Sequence, residues 1–216
     1  MPNPDFNRPI PVVGVEGLVL FPVLSDTKAG LTTDDENIID MSDCLVSKAY
    51  APDNAAGKDF YASNKKALSI KNNKGGTLTY VIPSLLPELK ERILGAKKNA
   101  DGVTIQGASN VSPEYICAHK VKLTNDTWAL EKFAKVVFET PGETAQTESE
   151  NSDFQTAELV GTIVPLNYEV THTDGKANGD FLFSIASTNE KYATTSTDWF
   201  TKGTAGIVPA SNTQSA

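Results

Sequence analysis

Hydrophobic positions along this chain recur with a period of two over most of its length. Tyr115, Cys117, His119, Val121 and Leu123 alternate with Glu114, Lys120 and Lys122, the pattern of a half-buried strand. Asn125-Asp126 supplies a turn, and Trp128, Leu130, Ala134, Val136 and Phe138 then share one face of a following strand. Val160, Thr162, Val164, Leu166, Tyr168 and Val170 alternate in the same way, as do Phe181, Phe183 and Ile185. Val12 to Leu24 is different, being apolar on both faces. That predicts a strand covered on both sides, with Pro22 marking a bulge or an edge. Ile38 to Tyr50 predicts a second strand region, and 51–65 a long connection that ends in Phe60 and Tyr61.

One stretch breaks the period. Leu68 and Ile70, then Leu78, Tyr80 and Ile82, predict a hairpin that turns at Asn72-Asn73-Lys74-Gly75-Gly76, where glycine and asparagine supply positive φ. A helix follows over about residues 84–95. Ser84 is the predicted N-cap and Pro87 sits in the first turn, where its missing N–H costs nothing. Leu86, Leu89 and Ile93 share one face, while Glu88 and Arg92 stand four apart on another. Gly95 closes the helix, and Lys97 and Lys98 complement its dipole. So short a helix is unstable alone in water and must lie on a sheet. No second helix is predicted. The expected fold is mainly β: a β-sandwich or partly closed barrel of roughly seven to nine strands carrying one short α-helix. Residues 12–202 form its single domain. Prolines at 2, 4, 9 and 11 make 1–11 an extended N-terminal arm, and 203–216 form a flexible C-terminal arm. The acidic, Ser/Thr-rich run 141–153 predicts a surface loop.

Charge and candidate chemistry narrow the function. A net charge of −8 argues against a protein that grips nucleic acid, which needs a clustered basic face. The N-terminus lacks the basic-then-apolar layout of a secretory signal, and no apolar run is long enough to span a bilayer, so synthesis and folding in a cytoplasm are expected. Cys44 and Cys117 are then most simply small buried apolar residues. His119 falls on the apolar face of a strand and is expected as a packed or hydrogen-bonded core histidine; His172 lies beside a turn. Two histidines, both in β context and without Cys-x-x-Cys or His-x-x-x-His spacing, argue against a zinc site. The oxygen-rich run from Asp174 to Asp180 lacks the distal bidentate glutamate of a calcium loop and fits a polar hairpin turn. No Gly-x-Ser-x-Gly elbow occurs, Gly75-Gly76 precede a strand rather than a helix, and Glu131 and Glu169 have no reason to pair. Trp128 and Trp199 are the candidates for a sugar platform, although Trp128 shares a face with Leu130 and Val136, as a core residue would. No catalytic residue, cofactor or metal ligand is nominated, and an enzyme is not expected.

Four stretches carry a resemblance: FYASNKK (60–66), VIPSLLPELKERILGAKKNADGV (81–103), KFAKVVFETPGETAQT (132–147) and LVGTIVP (159–165). In this order, from about Val12 to Ile207, the chain resembles the major tail proteins (tail tube proteins) of long, non-contractile-tailed phages, chiefly those of Gram-positive hosts. The resemblance implies a structural virion protein that forms hexameric rings, stacked into a tube through which DNA passes without binding. It implies a homo-oligomer partnered by tail tip or initiator, tape-measure and terminator proteins, with no membrane anchor. Pro9 and Ile10 in the N-terminal arm, Phe60 and Tyr61, and Trp199 and Phe200 are then the candidate subunit-interface residues, local packing being the alternative for the four aromatics. An acidic bore would repel DNA over a Debye length of roughly 8 Å. The competing readings are another β-sandwich virion part, from a baseplate or head decoration, and a carbohydrate-binding module exposing Trp128 or Trp199.

Overall fold

A computed structural model describes residues 11–54, 58–62, 65–70, 73–141, 156–173, 175–177 and 179–208. In chain order the elements are β1 (Val12–Thr27), β2 (Gly30–Thr33), β3 (Ile39–Met41), β4 (Ser47–Asn54), β5 (Lys58–Ala62), β6 (Lys65–Ile70), β7 (Asn73–Ile82), α1 (Pro87–Leu94), β8 (Lys97–Lys98), β9 (Thr104–Ile105), β10 (Glu114–Leu123), β11 (Trp128–Phe138), β12 (Ala157–Ile163), β13 (Val170–His172), β14 (Gly175–Ala177), β15 (Leu182–Ala186) and α2 (Tyr192–Thr197). The fold is mainly β. Nine strands form one antiparallel sheet in the order β2-β1-β10-β11-β12-β7-β4, with β15 added on β11 and β3 on β1, and it does not close into a barrel.

The β10–β11 hairpin is its spine. Asp126 makes the predicted turn with φ +57, and Lys122↔Trp128 through Glu114↔Val137 are in register except at one place. There Tyr115 and Cys117 face Val136 and Phe133, so β11 carries one residue more than β10. The surplus falls at Lys135, held at φ +52. This bulge reverses which face the later side chains of β11 present. Leu130 and Ala134 point to one side; Phe133, Val136 and Phe138 point to the other. It also divides the sheet. Ala129–Phe133 pair with β15, whereas Val136–Phe138 pair with β12, the manner in which a strand passes from one layer of a sandwich to the next.

Both faces of the central strands are consequently buried. Leu18, Leu20, Tyr115 and Cys117 join Leu78, Tyr80, Ile82, Leu159 and Phe133 in one core, which Ile93 and Leu94 of α1 complete. Val19, Phe21, Ile116 and Ala118 enter a second core with Leu130, Leu166, Val170, Trp199 and Ile207. The covered-strand expectation for β1 therefore holds over Leu18–Phe21, while Val12 and Val13 are exposed.

Helix α1 starts at Pro87 and stops at Gly95 in left-handed geometry, φ +66. Its N-cap is Leu86 without a side-chain bond, not Ser84. Lys97 and Lys98 form β8, which pairs with β9. Arg92 donates to the carbonyls of Asn37 and Ile38 and ties the helix to the β2–β3 connection.

Several expectations are corrected. A second helix, α2, exists; its uncapped, threonine-rich sequence carries little intrinsic helix signal, and Tyr192 anchors it on the second core. Residues 51–65 are largely strand rather than loop, and the hairpin expected between 68–70 and 78–82 does not form. Instead β4 pairs with β7 from Ser47↔Val81 to Asn54↔Asn73, and β5 with β6 from Lys58↔Ile70 to Ala62↔Lys65. Gly75 and Gly76 lie inside β7, where an added Cβ would strike the backbone of Ile163 and Ala51 respectively. They permit close approach of neighbouring strands rather than a turn. The alternation over 160–170 breaks after Ile163, and β13 pairs with β14 in a separate hairpin. Asp174 and Asn178 lie outside the described residues, as do residues 1–10 of the expected N-terminal arm, the expected acidic loop from residue 142 on, and residues 209–216 of the expected C-terminal arm.

Candidate functional site

Among the described residues several strands pair on one side only, β2, β15 and the two-stranded β8–β9 and β13–β14 sheets included; two such regions bear on the sequence candidates. The first is a cleft of about 440 Å³ lined by Val12, Gly14, Val15, Val46, Ser47, Lys48, Val121 and Glu131. It lies between the start of β1 and the start of β4. Val12–Glu16 pair only with β10, and β4 only with β7, among the described residues. Each wall is thus a strand edge hydrogen-bonded on one side.

A polar chain runs from this cleft into the core. Lys48 Nζ forms an ion pair with Glu131 Oε2, His119 Nε2 lies 3.0 Å from the same oxygen, and Tyr80 Oη lies 3.1 Å from His119 Nδ1. A carboxylate only accepts, so Nε2 carries the imidazole proton, and Nδ1 accepts from the Tyr80 hydroxyl. Burial pushes the His119 imidazole below its ordinary pKa; the hydrogen bond to Glu131 pulls it up and the Lys48 charge pushes it down. Burial also acts to raise Glu131, but the hydrogen bonds from His119 and Lys48 outweigh it and hold the carboxyl at about 2. Tyr80 is raised well above its usual range by burial. The chain is therefore a neutral Tyr-His pair behind an ionised Lys-Glu pair. It satisfies every buried polar atom in the row and presents no free nucleophile to the cleft. His119 is the hydrogen-bonded core histidine expected from its strand position.

The second region is the β5–β6 hairpin, which lies in sequence between β4 and β7 and forms a sheet of its own. Phe60 and Tyr61 stand on β5, opposite Leu68 and Lys66. Among the described residues β5 and β6 pair only with each other.

The remaining sequence candidates are placed differently. Pro9 and Ile10 lie outside the described residues. Trp199 is 1% exposed, packed in its own chain's second core with Phe200 half-buried beside it. Trp128 is not a core residue: the bulge separates it from the face of Val136, and Lys120 and Lys122 lie over its ring at 4.7 and 5.6 Å from the centroid. Both tryptophans proposed for a sugar platform are thus occupied within the chain. Cys117 is buried with its thiol pushed up by burial, whereas Cys44 is exposed and both are unpaired. Among the described residues no group of three or more His, Cys, Asp or Glu is arranged to hold a metal ion. No protein-family model matches the chain, and no curated protein does.

Two buried lysines, Lys132 and Lys135, and the half-buried Lys48 escaped the sequence pattern. Lys132 Nζ donates to the carbonyls of Lys202, Gly203 and Ala205. Lys135 pairs with Asp26 and Glu114, and Lys48 with Glu131. In the sequence the first two stand inside the apolar run EKFAKVVF, where a lysine between core residues is the available signal.

Proposed function

We propose that this protein is a structural subunit that assembles with copies of itself into stacked hexameric rings, forming the tail tube of a long-tailed phage and conducting DNA passively. One observation carries the reading. Among the described residues β5–β6 pairs with no third strand, and a two-stranded hairpin alone is marginal in water. Such an element gains its stability from a partner, and in a closed ring or an open-ended stack identical copies supply it. The two one-sided strand edges at the cleft support the same reading, since an unpaired edge is a template for another chain. The acidic balance suits a bore that must not retain phosphate. The carbohydrate-binding alternative loses support because Trp199 is buried and two lysine ammonium groups stand over the Trp128 ring.

Negative-stain electron microscopy of the purified full chain over a concentration series tests the proposal. Six-fold rings or hollow filaments are expected. A particle that stays monomeric at every concentration overturns it.

A further inference from the structure

The Lys135–Asp26 pair is built beyond what an ion pair requires. Lys135 Nζ lies 3.0 Å from Asp26 Oδ2, with side chains 8% and 3% exposed. Both oxygens of that carboxylate are held: the backbone N–H of Asn167 donates to Oδ2 and that of Tyr168 to Oδ1, each at 2.8 Å. A second carboxylate, Glu114 Oε1, stands 3.6 Å from the same Nζ and is 41% exposed. Lys135 reaches this position from the β11 bulge with φ +52, a conformation that L-residues other than glycine rarely adopt and that concentrates at functional positions. A solvent-screened pair would need neither the burial nor the strained backbone.

We propose that Lys135 and Asp26 form an intramolecular isopeptide bond, with Glu114 carrying the proton. The amine is the nucleophile and the Asp26 carboxyl the electrophile; the Tyr168 N–H serves the oxygen that takes the charge, and the Asn167 N–H holds the oxygen that leaves. One ammonium proton passes across the 3.0 Å contact to Oδ2, which frees the lone pair on the nitrogen and makes Oδ2 part of the leaving group. Nζ then attacks Cγ, and charge develops on Oδ1 where the Tyr168 N–H points. Glu114 removes a second proton from the nitrogen and delivers it to Oδ2, which departs as water. One C–N bond forms and one C–O bond breaks, Glu114 is regenerated, and no oxidant or reductant is needed. Because Glu114 reaches the surface, the released water has an exit. The product is an amide joining the end of β1 to the β11 bulge, the place where the sheet divides. It does not rest on the tail-tube reading.

The test is the intact mass of the denatured, reduced full chain, followed by a tryptic digest. The expected mass is one water below that of the sequence, and the digest yields a branched peptide linking the segments around Asp26 and Lys135. Lys135→Arg keeps the charge but forms no amide and shows the full mass; Glu114→Gln, which leaves Lys135 and Asp26 in place, also shows the full mass while remaining folded. A wild-type chain at full sequence mass overturns the proposal. So does a water loss that maps to a linear peptide, the signature of an aspartyl-glycine succinimide such as Asp101-Gly102 could give. A cross-link that persists in Glu114→Gln removes Glu114 from the mechanism.

Discussion

Replacing Lys132 with methionine isolates the cost of burying an ammonium in the second core. Its Nζ donates to Lys202 O at 2.8 Å, Gly203 O at 3.2 Å and Ala205 O at 2.9 Å. It lies 4.7 Å from the Trp199 ring centroid and 5.3 Å from that of Phe21. Burial pulls its pKa from 10.5 to about 7, with Asp35 and Asp198 pulling the other way. In the unfolded chain the amine keeps its ordinary value. Between these two values the unfolded state holds a proton that the folded state lacks, so stability rises with pH. The contribution is fully present above the unfolded pKa and is lost as pH falls to the folded one. A fall of about 3.5 in pKa corresponds to roughly 5 kcal/mol over the whole window, of which about 2 kcal/mol falls between pH 7 and pH 9. Methionine fills the aliphatic stem but leaves three carbonyls without their donor, a penalty that does not vary with pH. Urea unfolding of both proteins at pH 7, 8 and 9 therefore gives a difference that moves by about 2 kcal/mol in favour of wild type as pH rises. All other titrating groups cancel in the subtraction. Parallel profiles would refute the reasoning: they would mean that three carbonyls and two aromatic faces keep the folded ammonium charged against the pull of burial.

Three further outcomes are expected. Gly206→Ala places a Cβ inside contact distance of the Trp199 ring at a φ of +79, and thermal unfolding should show a loss of about 2–4 kcal/mol; an unchanged midpoint would mean that the C-terminal turn does not fix Trp199. His119→Phe leaves the Tyr80 hydroxyl and Glu131 without their partner and lowers stability by about 2–4 kcal/mol in urea. It also weakens acid unfolding between pH 4.5 and about 2, the window in which wild type loses the stability that Glu131 contributes while ionised, and an identical acid limb would discount the hydrogen bond. Replacing 58–70 with a short Gly-Ser turn should leave circular dichroism of the sheet intact and abolish filaments in the electron microscope, whereas persistent filaments would place the assembly contacts elsewhere.

Some of this molecule was legible because the controlling physics is local. The β10–β11 hairpin followed from alternation and Asn125-Asp126, α1 from Pro87, an apolar stripe and Gly95, and the buried state of His119 from its strand position. Mainly β architecture followed from the same period. The features that position the candidate sites were of another kind. Gly75-Gly76 looked like a turn because glycine permits one, but whether a glycine turns or lets strands approach depends on what stands beside it, here β4 and β12. Asp26 and Lys135 are more than a hundred positions apart in the chain, and only the return of β1 alongside β10 brings them together. Trp199 offered an anchor until the second core took it in.

Taken alone, then, the sequence determined the period-two strands, the capped first helix, the acidic balance and the lack of any recognisable catalytic or zinc motif. These are properties of neighbouring residues and of composition. Tertiary structure decided the Lys135 bulge that reverses β11 and splits the sheet, the open strand edges, and which lysines are buried with which partners. Strand register is chosen by summing contacts along whole pairs of strands, and a one-residue surplus changes the face of everything beyond it without altering the local pattern that precedes it.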